Sequence, residues 1–168
     1  KGRPIGSSLQ GVLDKLFSGW SVQGSFTAHT GFPLTPTSSV SSNVGRQDTN
    51  RADRLCDGNF PSGSRTIDRW FDTSCFANHV FGRFGNSGNG VITGPGFNTT
   101  DMTLMKNTNV PLPGREPMNV QFRAEFFNAF NHPVFGDPNL AAGTAQFGTI
   151  RSTRVGGREI QLALKILF

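Results

Sequence analysis

The sequence predicts an all-β fold: antiparallel strands of a transmembrane β-barrel, forming the C-terminal part of that barrel, with long loops and one short amphipathic helix near the start. Three observations carry this reading. Apolar residues recur at every second position in separate segments, the signature of a strand with one apolar face. Each segment is about 11 residues long, which at ~3.3 Å per residue and a tilt near 40 to 45° spans about 25 Å, the height of an outer-membrane apolar band. The connections alternate between compact turns and long polar stretches, as periplasmic turns and extracellular loops do. The 168 residues suit one domain, and an apolar share of 35% with 21 Gly and 10 Pro leaves little for a large helical core.

The elements follow in chain order. Leu9, Val12, Leu13, Leu16 and Phe17 share one helix face, so residues 1–19 hold a short amphipathic helix at a periplasmic turn. After Ser18-Gly19 the period becomes two: Trp20, Val22, Gly24, Phe26 and Ala28 alternate with Ser21, Gln23, Ser25, Thr27 and His29 in a strand over 20–31. Residues 32–96 lose all periodicity and become rich in Ser, Asn, Gly, Arg and Asp, punctuated by Trp70, Phe71, Phe76, Phe81 and Phe84. A connection of that length exceeds ordinary loops and implies a task of its own. A second strand, 97–109, alternates Thr100, Met102 and Leu104 with Asp101, Thr103 and Met105. Three prolines and a glycine then force a turn over 110–117. The third strand, 118–130, is the clearest, with Met118, Val120, Phe122, Ala124 and Phe126 on one side. Five specified positions all being apolar has a probability of about 0.005 at this composition. A polar loop, 131–157, leads to the final strand, 158–168, where Ile160, Leu162, Leu164, Ile166 and Phe168 share a face.

Charge adds exclusions. Lys and Arg number 16 against 11 Asp and Glu, a net charge of +5, but every cation stands alone in sequence, so no phosphate-tracking stripe forms and no nucleic-acid partner is expected. No continuous apolar run approaches the ~18 to 20 residues of a spanning helix. Neither Gly-x-Ser-x-Gly nor a phosphate-binding glycine loop occurs, and His29, His79 and His132 lie far apart without metal-ligand spacing, so no enzyme, cofactor or metal site is expected. In the last two strands Arg123, Glu125, Glu159 and Lys165 all lie opposite the apolar face, with Arg158 at a strand end. Lipid enforces such segregation, since a cation at the bilayer midplane costs ~2 to 4 kcal/mol. The alternative is a secreted soluble β-sandwich, a ligand- or glycan-binding module whose strands alternate because they cover one core. Cys56 and Cys75, in a Gly/Ser/Asn/Asp-rich stretch, suit a disulfide in an oxidising compartment; the alternative is two free thiols. The opening Lys1-Gly2-Arg3-Pro4 carries neither an initiator Met nor a secretory leader; the expectation is the C-terminal piece of a longer chain, and the alternative is a chain whose signal was removed.

Several stretches carry a family resemblance: GWSVQGSFTAHTGFPLTP, RWFDTSCF, GNSGNGVITGPGFNTTDMTLMKN, QFRAEFFNAFNHPVFGDPN, FGTI and GREIQLALKILF. In this order, over nearly the whole chain, they resemble the C-terminal part of the barrel of TonB-dependent outer-membrane receptors. More narrowly they resemble the Oar-like group, in which a carboxypeptidase-regulatory-like domain precedes plug and barrel. The resemblance implies a receptor in the cell outer membrane that binds a scarce small ligand, such as a siderophore or oligosaccharide, and imports it through a plugged lumen under power from the TonB complex. It implies contact with outer-membrane lipid, and a signal for the barrel-assembly machinery in Ile160, Leu162, Leu164, Ile166 and Phe168. Asp101, Arg123, Glu125 and Lys165 are then lumen-facing, and Trp70, Phe71 and Phe76 either meet ligand or form the loop's own core. The sequence departs from the family pattern in having no Tyr, so Phe and Trp serve as interface anchors, with Trp20 the candidate at the start of the first strand. Plug and TonB box are not within these 168 residues, and four or five strands cannot close a barrel that needs at least eight.

Overall fold

The computed structural model describes residues 11–41, 50–114 and 116–168, which divide into two compact units. The first is built on helix α1 (Val12–Phe17) and four strands: β1 (Trp20–His29), β2 (Phe97–Val110), β3 (Met118–Phe127) and β4 (Glu159–Leu167). They form one sheet in the order β1-β2-β3-β4. Met102 faces Phe126 and Val110 faces Met118 across β2 and β3, while Ile160, Leu162, Leu164 and Ile166 face Phe126, Ala124, Phe122 and Val120 across β3 and β4, both pairs antiparallel. Along β1 the same direction holds: Gly19 O accepts from the Asn107 N–H at 2.9 Å, and Gly24 lies beside Asp101 and Met102. Opposed residues in an antiparallel pair share a face. The register therefore places Trp20, Val22 and Phe26, then Met102 and Leu104, then Val120, Phe122, Ala124 and Phe126, then Ile160 to Ile166 on one face.

Local chemistry sets the strand ends. Gly19, with φ +78°, closes α1, and a Cβ there would overlap the Asn107 carbonyl, so the helix-to-strand corner needs glycine. The β2–β3 turn carries Pro111, Pro113 and Gly114, the last at φ +73°. The expected third strand to residue 130 stops at Phe127, because Asn128 and Asn131 adopt left-handed backbone at φ 49° and 53°. Buried Asn128 holds this turn: its Oδ1 accepts from the His132 N–H at 2.9 Å, and its Nδ2 donates to the carbonyls of His132 and Gly156. The expected helix face begins at Leu9, which lies outside the described residues; the helix itself starts at Val12.

The second unit contains residues 28–98 and 133–155, the two long connections. The stretch expected to lack regular structure is ordered by two-residue strands: Pro33–Leu34 pairs with Ile92–Thr93, and Asp53–Arg54 with Phe76–Ala77. Thr37–Ser38 runs parallel to Ala141–Ala142 and so binds one connection to the other. Ala52, Phe71, Cys75, Phe76, Ile92 and Ala142 make a buried core, with Phe147 packed against it. Phe71 meets Phe76 and Phe147 edge-on, at 5.8 and 5.2 Å between centroids. Cys56 and Cys75 are joined in a disulfide beside this core, closing a sequence separation of 19.

Candidate functional site

The sheet presents two chemically opposite faces. On the apolar face the side chains are uncovered on both outer strands: Phe26 is 70% exposed, Leu162 69% and Leu164 66%, whereas Phe71 in the other unit's core is 1% exposed. An open apolar face of this extent has no place in water. The opposite face carries Asp101, Arg123, Glu125 and Lys165, which the register brings to one side as expected. Around them runs an amide ladder, in which Asn119 Nδ2 donates to Asn109 Oδ1 at 2.6 Å and Gln121 Nε2 to Asn107 Oδ1 at 2.9 Å. Asp101 Oδ1 accepts from the Asn128 N–H, so this carboxylate also fixes the end of β3. Arg123 reaches Glu125 at 3.5 Å, and its Nε has no partner among the described residues. A depression of about 480 Å³ at the short-turn end is lined by Lys15, Ser18, Trp20, Asn107, Asn109 and Asn119.

One cation breaks the segregation of charge. Lys106 lies on the apolar face, in line with Phe122 and Leu164. Its Nζ donates to the carbonyls of Leu16 and Ser18 at 3.0 and 2.9 Å and sits 4.8 Å from the centre of the Trp20 ring. Trp20 Nε1 donates to the same Leu16 carbonyl at 3.0 Å. Sequence reasoning singled out Trp20 and missed Lys106, whose position interrupts the alternation of β2.

In the second unit the three aromatics considered for ligand contact take different places. Phe71 and Phe76 are inside the core and offer no surface to a ligand; Trp70 is half-buried and its indole N–H donates to Thr93 O at 2.9 Å. Phe81 and Phe84, with Val80, are exposed instead, around a turn at Gly82 with φ +84°, and Phe32 of the same unit is exposed as well. Arg83 anchors this turn by a two-pronged ion pair to the buried Asp53 carboxylate, at 3.0 and 2.5 Å. Burial pushes the Asp53 carboxyl up, but the Arg83 guanidinium and the Asn86 N–H outweigh it and hold it below the ordinary carboxylate value. Asp72 is likewise lowered, chiefly by the hydroxyl and N–H of Ser74. Among the described residues no group of three or more His, Cys, Asp or Glu is placed to hold a metal ion.

The outer strands leave their apolar side chains uncovered, as contact with lipid requires, and residues 1–161 match the family described as outer membrane beta barrel domain. The chain belongs to that family. No curated protein and no solved structure matches it. The outer-membrane β-barrel assignment locates the chain in the outer membrane and decides against the secreted sandwich. The sheet is an open part of such a barrel: among the described residues its order leaves β1 and β4 each with one unpaired edge.

Proposed function

We propose that this outer-membrane barrel segment is the C-terminal part of a TonB-dependent receptor of the Oar-like group, which captures a scarce ligand outside the cell and imports it. The observation that carries this reading is the ordered unit made from the two long connections. It has a core, a disulfide and a strand pairing that joins both connections, the features of a rigid extracellular binding surface. In this reading the apolar face meets lipid and the face with Asp101, Arg123, Glu125 and Lys165 lines the lumen. Phe81 and Phe84, presented by the Arg83–Asp53 anchor, replace the buried Phe71 and Phe76 as the aromatics that meet ligand. Ile160, Leu162, Leu164 and Ile166 of β4, with Phe168 just beyond its end, form the signal read by the assembly machinery, and the TonB complex acts through the part of the receptor before this segment. The role is carriage, with no bond made or broken.

The test compares host cells with the full-length protein, with Phe81→Ser/Phe84→Ser, and with TonB uncoupled, in competition under iron limitation and then under glycan limitation. A fitness loss shared by the double variant and the uncoupled strain in one medium is expected. Normal fitness of the double variant in the medium where uncoupling the intact receptor costs growth contradicts the assignment of Phe81 and Phe84. No cost of uncoupling in any medium contradicts the import reading.

A further inference from the structure

We propose that α1 is a membrane foot: it lies in the phospholipid headgroup zone of the leaflet at the short-turn end, fastened to the lipid-facing side of the sheet by Lys106 and Trp20. The inference rests on the reading that the apolar face meets lipid.

Three observations converge. The end of α1 sits over the apolar face, because the Leu16 carbonyl accepts from both Lys106 Nζ and Trp20 Nε1, whose side chains belong to that face. Leu16 and Phe17 are uncovered, 56% and 68% exposed, as are Trp20, Val22 and Phe26 on the apolar face of β1 that follows. Lys106 has the chemistry of a snorkelling cation: its stem lies along the apolar face, while the ammonium meets the carbonyls of Leu16 and Ser18 and the Trp20 ring. A lysine at mid-bilayer would lack such partners, and the carbonyls at the end of α1 would lack donors. Each need is met by the other only where the helix lies beside the strand at the interface. An amphipathic segment ending in Leu16, Phe17 and Trp20, with Lys15 also exposed, matches an interfacial helix whose apolar side enters the acyl boundary. β1 starts at the end of the sheet where the β2–β3 turn lies, which fixes the leaflet.

The test uses the full-length protein folded in vesicles of phosphatidylethanolamine and phosphatidylglycerol. A bimane label is placed through Phe17→Cys in one sample and through Leu164→Cys in another, with correct folding checked by heat-modifiable migration. Quenching by nitroxide lipid, labelled on the headgroup for position 17 and on the acyl chain for position 164, is compared with quenching by aqueous iodide. Lipid quenching at both positions is expected, and Lys106→Met, which removes the three donors and keeps the stem, should shift only the label at 17 towards iodide. Lipid quenching at 164 with iodide quenching at 17 overturns the foot and leaves the face assignment standing. Iodide quenching at 164 overturns the face assignment and the foot with it. An unchanged label at 17 in the Lys106→Met protein overturns the fastening by Lys106.

Discussion

Replacing Leu164 by arginine tests the two-faced sheet at its most sensitive point. Leu164 lies in the middle of β4, directly opposite Phe122, and is uncovered on the apolar face. An arginine at the midplane of the lipid face costs ~2 to 4 kcal/mol, equivalent to roughly 30- to 900-fold in the folding equilibrium. Gln161→Arg, three residues away, supplies the contrast. Gln161 is on the other face, opposite Glu125, and its Nε2 donates to Glu159 Oε1 at 3.0 Å. A guanidinium there meets two carboxylates, and the expected change stays within about 0.5 kcal/mol. The assay is a urea titration of the full-length protein in phospholipid vesicles, read by heat-modifiable migration. Equal costs for the two changes, or a larger one for Gln161→Arg, would refute the assignment of faces.

The second unit yields three further expectations. Replacing Cys56 and Cys75 together by serine reopens a loop with a sequence separation of 19 and should cost that unit about 3 kcal/mol, seen as faster proteolysis within residues 50–93 with barrel migration unchanged. Phe71→Ala empties the centre of the aromatic core and should cost ~3 to 5 kcal/mol, measured as lost hydrogen-exchange protection around Phe76, Ile92 and Ala142. Asp53 has a folded-state pKa below its ordinary value, so its contribution is complete above the usual carboxylate range and fades as pH falls through the lowered value. Protection of the 80–84 turn should therefore drop in acid, and Asp53→Asn should remove most of that drop while lowering protection at neutral pH.

The strands were legible because a face that meets an apolar surrounding takes an apolar side chain at every second residue, and β3 and β4 obey this from Met118 to Phe126 and from Ile160 to Ile166. Lys106 was illegible for the same reason: it breaks the period, and what satisfies it, the carbonyls of Leu16 and Ser18, lies 90 and 88 residues away. The order of the long connections was hidden because single asparagines carry much of it. Asn59 Oδ1 accepts from the Thr93 N–H while its Nδ2 donates to Val91 O, Asn78 Oδ1 accepts from Ser38 and Ser39, and Asn86 Oδ1 accepts from the Arg54 N–H. Such contacts have no sequence period. The disulfide was suggested by two cysteines in a polar stretch, but the burial of Phe71 and Phe76 was one of two open readings until Ala142, from the other connection, was found in the same core. The end of β3 depends on left-handed backbone at Asn128, which the NAFNH stretch does not announce.

The central claim is that one face of this sheet meets the outer membrane. The most direct measurement places a nitroxide in turn at every position from Ile160 to Leu167 of the full-length protein in vesicles and reads collision with oxygen against a water-soluble nickel chelate. The account predicts alternation, with oxygen dominant at 160, 162, 164 and 166 and the chelate dominant at 161, 163 and 165. A flat profile, or one in which the chelate dominates at the even positions, would contradict it.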